Sequence, residues 1–321
     1  MGTKQSLLKA NKIKDDEFYT LYEDIANEVA LYKERLKGKR ILCPCDWDES
    51  YNEEIVYKEE GFVASSNLLD AGGTIKKIDI KASKKKIEKD LALIKCNFVK
   101  FLVAHADAYG IKSISVSGYN PATGKGVKFQ DVDYSKYDIV VTNPPFSKFR
   151  EFIDTMFANK TQFLVIGPLT AITYKEVFNH IQHNEMWLGY AKQLSGFRLA
   201  DGTALLAKNP EGSVARACKW YTNLEVKNRH DKMILTEAYN SEKYQKYDNF
   251  DGIEVSKVSE IPFDYDGAMG VPITFLQKYN PEQFKIIKFR KGDDEKDLSI
   301  NGEYPYFRIL IKNKKVIKNS K

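Results

Sequence analysis

Cysteine is scarce in this chain, with four in 321 residues: Cys43, Cys45, Cys96 and Cys218. Cys43 and Cys45 are separated by one residue, which is not a zinc-ligand spacing, and no Cys/His pair follows at finger distance. His180 and His183 fall on one helix face, but two histidines alone make a poor metal site. No metal is expected, and so few cysteines suit a reducing, cytoplasmic setting rather than a disulfide scaffold. Long apolar runs are also lacking, so no membrane span is expected. The opening "MGTKQSLL" is too short in apolar residues for a secretion signal. Its Gly2 and Ser6 fit a loose myristoylation pattern, yet nothing else points to a membrane. No internal repeat is visible.

What is present is ordinary for a globular protein of one large α/β domain or two smaller ones, with 43% hydrophobic and 29% charged residues. The net charge of +6 is uneven. Residues 1–14 hold Lys4, Lys9, Lys12 and Lys14 without an acid, and the last ten residues hold Lys312, Lys314, Lys315, Lys318 and Lys321. Basic ends suit a polyanion or serve only solubility.

Residues 16–37 carry apolar positions near helical spacing, and Gly38 ends them. "RILCPCD" (40–46) reads as a buried strand ending in an acid. Residues 48–95 form a lysine-rich stretch that reads as an insertion without an assigned role. A helix closed by Gly110, a strand over 111–119 and the turn-rich loop "NPATGKG" follow. "YDIVVT" (137–142) reads as a strand buried on both faces, followed by a helix (148–158), a strand (162–169) and a helix (174–182). "MWLGYA" and "RACKWYTNLEV" read as later strands. Such alternation predicts a mostly parallel α/β sheet with right-handed crossovers. It breaks down from about residue 231, so the division expected is a basic arm (1–14), a catalytic domain (15–230) and a C-terminal region (231–321).

The sharpest motif is Asn143-Pro144-Pro145-Phe146, directly after the buried strand. Ligands of open parallel sheets bind beyond the carboxyl ends of strands, so the motif stands where chemistry is expected. An amide oxygen and a proline carbonyl can both accept hydrogen bonds from an exocyclic NH2. Those bonds draw its nitrogen toward tetrahedral geometry and aim the lone pair at a methyl sulfonium. The prolines stiffen the loop and donate nothing. Phe146 offers a flat face to an extruded base. The bland alternative is a Pro-Pro turn.

Together with "DEFYT" (16–20), "CPCD" (43–46), "DIVVTNPPFSKFREF" (138–152), "ITYKEVFN" (172–179), "MGVPITFL" (269–276) and "YFRILIKN" (306–313), this motif resembles the EcoRI-type adenine-specific DNA methyltransferases. The resemblance implies a doubly wound α/β methyltransferase sheet of the Rossmann-like type with a C-terminal DNA-recognition region. It implies S-adenosylmethionine as cofactor and duplex DNA as substrate. By the same resemblance Phe18, Tyr19 and Thr20 contact the cofactor's methionine end. Cys43, Pro44 and Asp46 stand where most methyltransferases carry a glycine-rich loop, with Asp46 holding the ammonium group. Asp131 or Asp133 binds the cofactor's adenine, Asp131 being preferred. Phe197 is either a second stacking partner for the base or a packed core aromatic. The expected role is the modification enzyme of a restriction-modification system. It would act as a cytoplasmic monomer, sharing a target site with a cognate endonuclease without a stable complex. RNA adenine, a protein amide, or nucleic-acid binding with a degenerate cofactor site stand as alternatives.

Overall fold

The structure is a computed structural model that describes residues 18–47, 56–63, 74–89, 96–121, 123–199, 202–290, 298–305 and 307–316. The expected basic arm, Gly2, Ser6, much of the stretch 48–95, and Lys318 and Lys321 lie outside the described residues. The strands in chain order are β1 (Tyr19–Thr20), β2 (Arg40–Cys43), β3 (Tyr57–Val63), β4 (Thr74–Ile78), β5 (Ser113–Val116), β6 (Tyr119–Asn120), β7 (Lys125–Gly126), β8 (Ile139–Thr142), β9 (Gln162–Pro168), β10 (Trp187–Leu188), β11 (Gly196–Arg198), β12 (Ala204–Leu206), β13 (Cys218–Thr222), β14 (Gly252–Glu254), β15 (Ala268–Pro272), β16 (Phe284–Arg290) and β17 (Arg308–Asn313). Two compact units divide them. The first runs to Ala171 and resumes at Gly189–Leu224; the second takes Ile172–Leu188 and the chain from Glu225.

In the first unit the sheet runs β13-β9-β8-β2-β5-β4-β3. Its centre is parallel, with β8 beside β9 and β2, and β2 beside β5. Antiparallel strands flank it, β13 on β9 and β4 on β5. This is a mixed α/β arrangement, parallel at the centre and antiparallel at both flanks. All four residues of β8 are buried, which is why the segment reads as a continuous β-branched run. Pro44 follows β2 directly and has no N–H to continue a ladder, so the strand stops at Cys43. Gly110 closes the helix Asn97–Tyr109 in the left-handed conformation expected of it, at φ 61°. The helix Phe149–Ala158 buries Phe149, Phe152, Ile153 and Met156 along one stripe, each such side chain contributing roughly 1.5–3 kcal/mol.

Three segments differ from the sequence reading. The first helix begins at Tyr22, not at residue 16, because Tyr19 and Thr20 pair antiparallel with Arg198 and Phe197 of β11. Tertiary pairing there overrides local helix preference. The stretch 48–95, read as an insertion without an assigned role, holds secondary structure that the sequence reading did not assign. Its β3 and β4 extend the main sheet as an antiparallel pair, and the helix Ile80–Lys89 follows. Of "MWLGYA", only Trp187 and Leu188 are extended as a strand.

The second unit holds a sheet of order β14-β15-β17-β16, with β14 and β15 parallel and the other pairs antiparallel. The segment "MGVPITFL" becomes β15 and the 3₁₀ turn after it, with Met269, Val271 and Phe275 fully buried, so its contribution is packing. Glu254 is buried there and salt-bridged to Arg308 at 2.6 Å, while the Tyr247 hydroxyl donates to its other oxygen at 2.6 Å. Gly270 is required beside this network, since a Cβ would stand 1.9 Å from the Tyr247 oxygen. His180 and His183 make separate local contacts, one with Glu185 and the other with the Asn179 carbonyl. Among the described residues no helix is long and apolar enough to cross a membrane.

Candidate active site

Strand β8 delivers the motif to the carboxyl edge of the parallel sheet. Pro144 is buried, while Asn143, Pro145 and Phe146 are partly exposed. The Lys148 amide donates to the Pro145 carbonyl at 3.0 Å, so the loop turns tightly into the helix Phe149–Ala158. The decisive contact is made by the Asn143 side chain, whose Nδ2 donates to the main-chain oxygen of Phe18 at 2.6 Å. A carbonyl oxygen can only accept, so this contact fixes which end of the amide is nitrogen. The Asn143 Oδ1 is left buried and without a partner among the described residues. An orphaned buried acceptor costs about 1–3 kcal/mol, a cost that a functional site can carry.

Three phenyl rings wall this point. Phe18 lies nearly parallel to Phe146 with centroids 5.6 Å apart. Phe197 stands edge-on to Phe146 at 6.0 Å and tilted against Phe18 at 5.5 Å. Phe18 and Phe197 are buried, at 6% and 0% exposure, leaving Phe146 as the ring with room to move. Pairing of β1 with β11 brings Phe197 here, so its packed position and its place in the wall are both real.

The loop Cys43–Asp46 is tied to the neighbouring strand. The Ser117 amide donates to the Cys43 carbonyl at 3.0 Å, and the amides of Asp46 and Trp47 donate to the Ser117 carbonyl at 3.1 and 3.2 Å. A Cβ on Gly118 would lie 2.1 Å from the Trp47 carbonyl oxygen. The close backbone approach that glycines normally permit within such a loop is thus supplied from across it. The Asp46 carboxylate accepts from the Thr142 hydroxyl at one oxygen and from the Cys96 thiol, at 3.5 Å, at the other. Burial pushes the Asp46 carboxyl up to about 7, against the lowering effect of those two donors. Burial and then the Asp46 charge push the thiols of Cys43 and Cys96 well up, as they do that of Cys45, so none is a ready nucleophile.

Thr20 is buried with an Oγ1 that has no partner among the described residues. Its carbonyl accepts from Asn97 Nδ2 at 2.8 Å. Tyr19 is half-buried beside it. Of the two candidate acids, Asp133 is committed locally: it accepts from Ser135 Oγ at 2.6 Å and pairs with Lys136 at 3.1 Å. The hydrogen bond from Ser135 and then the Lys136 ammonium hold its carboxyl low. Asp131 is exposed at the end of a 3₁₀ turn.

Two further acids escaped the sequence reading. Asp24 accepts from the Ser195 and Gly196 amides, and Glu28 accepts from the Tyr190 and Ala191 amides at 2.7 Å each. One turn apart on the helix Tyr22–Val29, they clamp the loop that leads into Phe197. Burial raises both carboxyls in spite of these donors. The available signal was their spacing, which sets acids beside Ile25 and Val29 on the apolar stripe.

A parallel sheet with an Asn-Pro-Pro-Phe turn at one strand end, an acid-bearing loop at the next, and three phenyl rings packed together at the turn is the arrangement expected of an amino-methyltransferase. The sequence profile of the family described as adenine-specific methyltransferase EcoRI matches residues 6–62 and 132–314. The chain is 41% identical over 346 residues to the Type II methyltransferase M.EcoRI of Escherichia coli, covering 99% of each. It is 31% identical to the Type II methyltransferase M.MpnI of Mycoplasma pneumoniae, over 87% of this chain and 84% of that one. It is 28% identical to the Type II methyltransferase M.MgeORF184P of Mycoplasma genitalium, over 96% and 98%. The chain belongs to the EcoRI family of adenine-specific DNA methyltransferases. No solved structure matches it.

Proposed function

We propose that the enzyme moves a methyl group from S-adenosylmethionine to the exocyclic nitrogen of one adenine extruded from duplex DNA. The observation that carries this reading is the Asn143 amide, anchored through Nδ2 on Phe18 and left with an unpartnered Oδ1. That oxygen suits an N–H of the adenine amino group, and the Pro144 carbonyl suits the second. Accepting both withdraws the nitrogen lone pair from the ring and makes it available for attack. No strong base is needed, because the nitrogen becomes acidic once methylated and loses its proton to water. Since Oδ1 is covered in this arrangement, a neighbouring group must move to admit the incoming base. Phe146, the least buried of the three phenyl rings, is the ring to yield and then to stack on the base.

The cofactor, when bound, supplies an electrophilic methyl sulfonium. The residues beside the motif fit its amino-acid end. Asp46 has a carboxylate for the ammonium group, and the orphaned hydroxyl of Thr20 can donate to the carboxylate. Phe18 and Tyr19 flank that end, Cys43 and Pro44 shape the floor of the loop, and Asp131 serves the adenine amino group. The second unit, with Lys312, Lys314 and Lys315 near its end, serves target recognition. The enzyme works in the cytoplasm as a monomer. A restriction endonuclease of the same specificity is its functional counterpart, without a lasting complex.

A single-turnover assay on duplex oligonucleotides tests this reading, with wild type and Asn143→Ala compared at saturating cofactor. Loss of transfer with retained DNA binding is expected. Transfer within about tenfold of wild type would remove Asn143 from the chemistry, since tenfold is only about 1.4 kcal/mol.

A further inference from the structure

Strand β8 needs buried, β-branched residues, and Ile139, Val140 and Val141 meet that need with apolar side chains. The next residue is Thr142, also at 0% exposure. A hydroxyl in such a place is costly unless it is bonded. Its bond goes out of the strand, to the Asp46 carboxylate on the neighbouring loop. The other Asp46 oxygen has only the weak thiol donor of Cys96 at 3.5 Å. Among the described residues, the titratable groups that act on Asp46 are the thiols of Cys43, Cys45 and Cys96. All three are held neutral by burial, so no described cation balances this carboxylate.

We propose that Thr142 is a positioning residue for the methyl donor: its hydroxyl holds Asp46 in the orientation that receives the donor's ammonium group. This rests on the reading of Asp46 as the ammonium partner. Without the hydroxyl, the carboxylate keeps one weak donor, turns more freely and holds its proton to higher pH. A residue on the strand that carries the catalytic Asn143 thereby serves the neighbouring cofactor site.

The test is calorimetric titration of S-adenosylmethionine into the full chain, without DNA, from pH 6 to 7.5. Thr142→Val keeps the shape and removes the donor; Thr142→Ser keeps the donor. Thr142→Val should bind about tenfold more weakly than wild type at pH 7, with the pH midpoint of binding moved upward. Thr142→Ser should restore both. If the valine variant folds poorly, Thr142→Ala against Thr142→Ser isolates the hydroxyl in the same way. Equal affinity and an equal pH profile with and without the hydroxyl, alongside a binding defect in Asp46→Asn, would overturn the role of Thr142 alone. Wild-type binding by Asp46→Asn would overturn the reading of Asp46 and, with it, this proposal.

Discussion

Asn143 Nδ2 donates to the Phe18 main-chain oxygen at 2.6 Å, and that contact turns the amide so that its oxygen is the end left buried and unpartnered among the described residues. The orientation comes from a backbone atom of another segment. It therefore persists whatever side chain stands at position 18.

A carboxylate at position 143 cannot donate to the Phe18 oxygen and would be repelled by it. Asn143→Asp should thus fall by two or more orders of magnitude in single-turnover rate and recover partly as pH drops and the carboxyl takes up a proton. Asn143→Ala should fall at least as far and show no such recovery, because the missing contact belongs to the transition state. A rate for Asn143→Asp near wild type at pH 8 would show that the amide nitrogen is not needed.

Extrusion of the base costs a few kcal/mol, of which an aromatic stack returns roughly 1–3. With 2-aminopurine at the target position, fluorescence should rise on binding to wild type and rise less with Phe146→Ala. Methylation by Phe146→Ala should slow, whereas Phe146→Tyr and Phe146→Trp should retain much of the rate. Equal flipping and methylation by Phe146→Ala would return this ring to a packing role.

Asp46→Ala should weaken S-adenosylmethionine binding by an amount in the range of a charge-assisted hydrogen bond, roughly 1.5–3 kcal/mol. The sign for stability runs the other way. The folded chain holds the Asp46 proton up to about pH 7, whereas an unfolded aspartate releases it near pH 3.9. Stability without cofactor therefore declines as pH rises between those values. Asp46→Asn should melt above wild type at pH 8 in the absence of cofactor and lose that advantage when cofactor is added. Thermal melts at pH 5 and pH 8 check both statements.

In the second unit, Glu254 pairs with Arg308 while the Tyr247 hydroxyl donates to it, and the two charged side chains are only 8% and 16% exposed. Removing one partner of a buried pair leaves the other uncompensated, at a cost of about 3–5 kcal/mol. Glu254→Leu should therefore be destabilised by that order in urea unfolding. The double variant Glu254→Leu/Arg308→Met should recover part of the loss, and a single variant within 1 kcal/mol of wild type, on the order of an exposed pair, would contradict the account.

Much of the catalytic unit was legible because its signals are local. The run Ile139–Thr142 announces a buried strand, and Gly110 closes its helix. The motif after β8 announces chemistry at a strand end. What was not legible depends on pairing between distant segments. Nothing near Tyr19 and Thr20 says that they pair with β11, or that Phe18 will hold Asn143. Asp24 and Glu28 read as surface acids until the loop at residues 190–196 closes over them. The strands of the second unit hide because β16 alternates imperfectly, with a bulge between Ile286 and Lys288. The β3–β4 pair is harder to read for another reason, since Lys58 in β3 and Lys76 and Lys77 in β4 break the apolar pattern that would have marked a strand.

The central claim is methyl transfer to the amino group of an extruded adenine, organised by Asn143. Its most direct measurement gives the purified enzyme S-adenosylmethionine with a labelled methyl group and duplex DNA. The DNA is then digested to nucleosides, and the labelled product is identified by mass spectrometry. The account predicts label in N6-methyladenine with wild type and none above background with Asn143→Ala. Label in methylcytosine, label in RNA or protein offered in the same reaction but not in DNA, or equal labelling of adenine by the two enzymes would contradict it.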